Sequence, residues 1–176
     1  MRYLRFMERG TAIVLIGFMG AGKTTVGLEL TRLTDLPLYE TDDAIAAGAA
    51  MSVEDFFATH GEEQFREAEG EALAGMPTEH AIVATGGGVV LRPDNVAALQ
   101  RLGVVIHLEA DEATLADRLR GETDGRPLLQ TDDFRAILAR LFRERDPLYR
   151  AAADFSVNTV DSNATEVAQA ILRHVG

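Results

Sequence analysis

The run Thr11-Ala12-Ile13-Val14-Leu15-Ile16 passes directly into Gly17-Phe18-Met19-Gly20-Ala21-Gly22-Lys23-Thr24, and Val26, Leu30 and Leu33 then recur at helical spacing. A short, β-branched apolar run without polar alternation suits a strand buried on both faces. Such strands belong to parallel sheets, whose neighbouring strands are reached through helical crossovers. The rest of the chain keeps this rhythm. Strands are expected near 36–40 and at 81–85, 104–109 and 154–159. Helices are expected at 22–34, 43–48, from Ser52 through Phe57, and at 62–75, 94–102, 111–120, 133–146 and 164–174. Ser52 and Asp55 have the spacing of a capping box. The expected fold is therefore α/β, a three-layer sandwich with helices on both faces of a central parallel sheet of about five strands. One domain is expected over 11–176, preceded by a flexible extension at 1–10. In such sheets ligands sit at the carboxyl ends of the strands, so the residues following Ile16, Tyr39, Thr85 and Leu108 should converge in space.

The segment Gly17–Thr24 matches G-x-x-x-x-G-K-[ST]. Glycines let backbone N–H groups turn inward around a phosphate, and the following helix adds the positive end of its dipole. Gly20, Ala21, Gly22, Lys23, Thr24 and Thr25 are thus expected to bind a nucleotide. Lys23 would reach the outer phosphates and the Thr24 hydroxyl would ligate Mg²⁺. The cations of the chain are sixteen arginines and one lysine, and that lysine is Lys23. The Asn-Lys-x-Asp signature of guanine recognition needs a lysine of its own, so ATP is favoured over GTP.

The formal net charge of −11 makes the chain a poor nucleic-acid binder unless its cations cluster. There are no cysteines, which excludes disulfides, thiolate nucleophiles and cysteine-based zinc sites, and the four histidines show no metal-ligand spacing. No apolar run reaches membrane-spanning length, and the first ten residues lack the apolar stretch of a signal peptide. A cytoplasmic monomer with neither nucleic-acid nor membrane partners is expected.

Acids and arginines mark the other strand ends. Glu40, Asp42 and Asp43 follow the second strand; side-chain alternation would put Glu40 and Asp42 on one face and leave Asp43 to start a helix. If that face looks toward the cradle, Mg²⁺ and its waters are the positive partner. Arg66 is flanked by Glu62, Glu63 and Glu69 at helical spacing, which on spacing alone reads as a surface ion-pair lattice. Gly86-Gly87-Gly88 ends the strand at 81–85 and would let a ligand approach the backbone closely. The segment 121–131, containing Arg126-Pro127-Leu128-Leu129, has the composition of a flap that closes over a reaction needing water excluded. Arg145 is placed to cap the carbonyls at the end of the long helix.

Together, "GFMGAGKTTVG", "YETDDAI", "EEQFREAE", "ATGGGVV", "RPLL" and "RDPLY" occur in one order. From about residue 11 to 174 the chain resembles the shikimate kinases. That resemblance implies a small P-loop kinase that moves the ATP γ-phosphoryl group to the 3-hydroxyl of shikimate, with Mg²⁺. It implies that Asp42 holds shikimate hydroxyls and can take the proton of the attacking one. Arg66, Gly87, Gly88 and Arg145 would contact shikimate, the arginines facing its carboxylate, and Phe57 would form an apolar wall; this shikimate-binding region spans about 40–75. Arg126 would reach the phosphates as the flap closes, and Arg118 or Arg120 would lie against adenine. The family usually shows Asp-x-Asp where this chain has Glu40-Thr41-Asp42, so Glu40 and Asp42 are expected at the metal only through water. Other small-molecule P-loop kinases, such as gluconate or nucleoside monophosphate kinases, share the cradle, and a nucleotide-binding regulatory module without turnover is the reading from a different class.

Overall fold

The computed structural model describes residues 11–120 and 133–175. The proposed extension at 1–10 and the proposed flap at 121–131, with Arg126, lie outside the described residues.

The elements follow as β1 (Ala12–Ile16), α1 (Lys23–Thr34), β2 (Leu38–Glu40), α2 (Thr41–Ala49), α3 (Val53–Ala74), β3 (Ile82–Ala84), α4 (Pro93–Leu102), β4 (Gly103–Glu109), α5 (Glu112–Leu119), α6 (Phe134–Ala152), β5 (Phe155–Asn158) and α7 (Ala164–Val175). The strands form one five-stranded parallel sheet in the order β2-β3-β1-β4-β5. The α/β architecture expected from the sequence is the one observed. Ala12 to Ile16 and Ile82 to Val83 show no exposed surface, as strands covered on both faces require. The fully exposed strand positions lie on the two edge strands, β2 and β5.

Strand order positions the site. β3 lies between β1 and β2, with Ala84 in register with both Leu15 and Glu40. The loops that follow these three strands therefore emerge side by side. Side chains bind them together: the Gly86 N–H donates to Thr41 Oγ1 at 2.9 Å, and the Thr85 hydroxyl donates to the Leu15 carbonyl at 3.1 Å.

Four local features differ from the sequence expectation. α2 begins at Thr41, with Glu40 as its N-cap residue, so Asp42 and Asp43 both sit in its first turn. Alternation along an extended strand does not orient Asp42; helical geometry does. The segments at 53–60 and 62–74 are one element bent at Gly61, whose φ of 80° is open to glycine without a Cβ penalty. Ser52 caps it as expected, accepting from the Asp55 N–H at 3.0 Å. α6 runs through Pro147 to Ala152. Its C-cap is Ala153, so Arg145 lies inside the helix and caps no terminal carbonyl. Leu33, expected on the buried face of α1, is 36% exposed, and Gly27 packs inward beside Val26 and Leu30 instead.

Candidate active site

The loop from Gly17 to Gly22 wraps the start of α1. Gly20 and Gly22 take φ values of 78° and 90°, the left-handed region that glycine enters freely. No side chain caps α1, and its first turn carries no acid, whereas α2 and α3 both have acids there. The N–H groups and dipole of α1 are thus left for an external anion. Lys23 folds back over the loop, its Nζ donating to the carbonyls of Gly17 at 2.8 Å and Phe18 at 3.1 Å.

Across the sheet end, space explains two of the three consecutive glycines, Gly86 and Gly88. A Cβ on Gly86 would come within 2.7 Å of Glu69 Oε1 and 2.8 Å of Asp42 Oδ1. A Cβ on Gly88 would lie 2.0 Å from Arg66 Nη1. The backbone is bare because two carboxylates and a guanidinium occupy the volume that side chains would need.

Arg66 is 8% exposed, which removes the surface-lattice reading. Its Nη1 meets Glu69 Oε2 at 2.6 Å and its Nη2 meets Glu62 Oε1 at 3.2 Å. Arg145 is 3% exposed and its Nη1 reaches the Gly87 carbonyl at 3.4 Å. Polar atoms remain unpaired on these side chains: Nε of Arg66, Nε of Arg145, Oε1 of Glu69 and Oδ1 of Asp42 are buried without a hydrogen-bond partner among the described residues. Leaving such groups unmet costs stability, so their persistence marks a site built for a polar ligand. Burial raises the carboxyl pKa of Asp42, against the opposing pull of Lys23; burial likewise raises that of Glu69, against Arg66.

All these groups line one cleft of about 750 Å³. Its lining includes Gly20 to Thr25, Glu40 and Asp42, together with Phe57, Arg66, Glu69, Gly87, Gly88 and Arg145. Phe57 packs its ring 5.7 Å from that of Phe65. At the far end Arg118 lines the cleft, donating to the Thr159 carbonyl at 2.6 Å, to Thr159 Oγ1 at 3.0 Å and to the Gly20 carbonyl at 3.4 Å. Arg120 pairs instead with Asp117 and is exposed. Of the two arginines the sequence left open, Arg118 is the one at the nucleotide loop. Apart from Arg120, every described residue selected for the site by sequence thus lies in this cleft.

The family model for shikimate kinase matches residues 19–176. The chain belongs to the shikimate kinase family. The shikimate kinase of Neisseria meningitidis serogroup C is 39% identical over 164 residues, covering 93% of this chain and 95% of that one. That of Thioalkalivibrio sulfidiphilus is 41% identical over 169 residues, covering 96% and 88%. Among solved structures, shikimate kinase from Acinetobacter baumannii in complex with shikimate superposes with a TM-score of 0.91 at 32% identity, covering 98% of this chain and 96% of that chain. A gluconokinase from Sinorhizobium meliloti, at 18% identity, 94% and 91% coverage and a TM-score of 0.57, shares the fold. Within the shikimate kinase frame, sequence reasoning missed three contributors: Glu69 as a cleft carboxylate, Thr159 as the brace of Arg118, and Tyr149 behind the triple glycine. Glu69 was noted as an ion-pair partner, but burial, which decides its role, has no local sequence signal.

Magnesium is implied by the family, and the residues fit it. The Thr24 hydroxyl donates to Glu40 Oε1, which brings hydroxyl and carboxylate together at the start of α1. Asp42 Oδ1 is unpaired nearby in the same cleft. Among the described residues no cluster of three or more acids and histidines forms a cage by itself. Mg²⁺ usually takes one or two protein ligands and completes its shell from phosphates and water.

Proposed function

We propose that the chain transfers the γ-phosphoryl group of ATP to the 3-hydroxyl of shikimate, acting as a cytoplasmic monomer. One observation carries the reading. The cleft brings two buried arginines and two unpaired carboxylate oxygens together with a phosphate loop. Guanidinium forks suit a carboxylate, and lone carboxylate oxygens suit hydroxyl donors. A polyhydroxy acid such as shikimate offers both.

Phosphoryl transfer passes through a loose transition state, so positioning and charge neutralisation dominate. The α1 N–H groups and Lys23 hold the phosphates. Arg66 and Arg145 fix the acceptor by its carboxylate. Asp42 orients the attacking hydroxyl and accepts its proton. Mg²⁺, held by Thr24 and through water by Glu40 and Asp42, would neutralise the phosphate oxygens. Arg118 would lie against the adenine, and we assign Arg126 to the phosphates.

Arg145→Ala and Arg66→Ala are each expected to raise KM for shikimate roughly tenfold or more, with KM for ATP little changed. Steady-state kinetics in each substrate checks this, and an unchanged shikimate KM in both removes the carboxylate assignment. Arg66→Ala also strands the buried Glu69, so its melting temperature should fall. Glu40→Asp should shift the apparent Mg²⁺ requirement; an unchanged requirement assigns Glu40 no metal role. Selectivity is tested by coupled ADP release with shikimate, gluconate and AMP. Shikimate alone should support turnover, and release on gluconate or AMP in its place would overturn the reading.

A further inference from the structure

Tyr149 sits one turn after Arg145 on α6, 1% exposed and behind the cleft wall. Its phenol donates to the Gly87 carbonyl, the oxygen that Arg145 Nη1 also approaches. Behind it, the ring stacks on His107 of β4 with centroids 5.3 Å apart and planes 21° from parallel. His107 is 2% exposed, with Ser156 Oγ of β5 at 3.3 Å from its Nδ1. The phenol is therefore held rigidly from the sheet side. Burial pushes its pKa up, so it stays protonated and donating.

The Gly87–Gly88 peptide is trans and planar, so its carbonyl and its N–H point in opposite directions. A carbonyl tethered to α6 turns the Gly88 N–H to the other face of the loop. Among the described residues no acceptor takes that N–H. Glycine offers the backbone little resistance to rotation, so two consecutive glycines need an external restraint to hold one orientation.

We propose that Tyr149 is a positioning residue for the acceptor substrate: its hydroxyl tethers the Gly87 carbonyl to α6, fixing the Gly88 N–H as a donor and the Arg145 guanidinium at the cleft. It acts through the loop and touches no reacting atom. The proposal rests on the shikimate kinase reading above.

Tyr149→Phe keeps the ring and its stacking on His107 and removes the tether. KM for shikimate should rise roughly five- to tenfold, the weight of one hydrogen bond, while KM for ATP stays within about twofold and kcat within about threefold. The variant should still melt cooperatively. Three results would overturn the proposal: an unchanged shikimate KM with a lowered melting temperature, equal losses for both substrates, or no cooperative melting. If the wild-type protein itself shows no shikimate-dependent ADP release, the underlying reading fails rather than this one.

Discussion

Asp42→Asn is expected to lower kcat by about a hundredfold or more while ATP still binds. The asparagine fills the same volume at the second position of α2, so the geometry of the cleft survives. What disappears is a negative charge and a proton acceptor facing the attacking hydroxyl. Asp42 Oδ1 is buried without a partner, and burial raises its carboxyl pKa. A raised pKa means that ionisation at neutral pH costs the fold stability, which is regained as pH falls through that pKa. The variant should therefore melt at the same temperature as the wild type or higher, a separation of stability from activity found where a site is held under electrostatic stress. The acid limb of kcat/KM should lie above the ordinary carboxylate range, since a protonated Asp42 can no longer accept. Turnover close to wild type in the purified variant would remove its role.

Lys23→Met should be as damaging, with kcat down about a hundredfold or more, because charge on the transferring phosphoryl group then goes unneutralised. Lys23 Nζ binds the carbonyls of Gly17 and Phe18, so the lysine also organises the loop. The substitution should for that reason weaken ATP binding as well as slow transfer. Single-turnover kinetics at saturating ATP separates the two. A variant impaired in KM alone would restrict Lys23 to binding.

The fold was legible because its signals are local. The apolar runs of β1 and β3, the glycines of the phosphate loop and the cap at Ser52 each name their own structure. The sheet order places the three functional strand ends together, as strand-end logic requires. The misses are tertiary in origin. From its position alone Arg145 read as a terminal cap, and only the resemblance pointed to the cleft; the helix continues past Pro147, and packing buries the guanidinium against the glycine loop. Arg66 read on spacing as a surface pair because its flanking acids are local, while its burial depends on a loop some twenty residues downstream. Strand alternation aimed Asp42 correctly for the wrong reason, since the residue belongs to a helix. Tyr149 closes the quoted "RDPLY" segment, but its role was not legible there because its contact with Gly87 spans 62 positions of sequence.

The central claim is group transfer from ATP to a hydroxyl of shikimate held between Asp42 and the two buried arginines. It is tested most directly by a single-turnover reaction of γ-labelled ATP with shikimate and Mg²⁺, followed by identification of the labelled product. The label should appear as a phosphate monoester on the 3-hydroxyl of shikimate. Label released as inorganic phosphate, or retained in ATP, would contradict it.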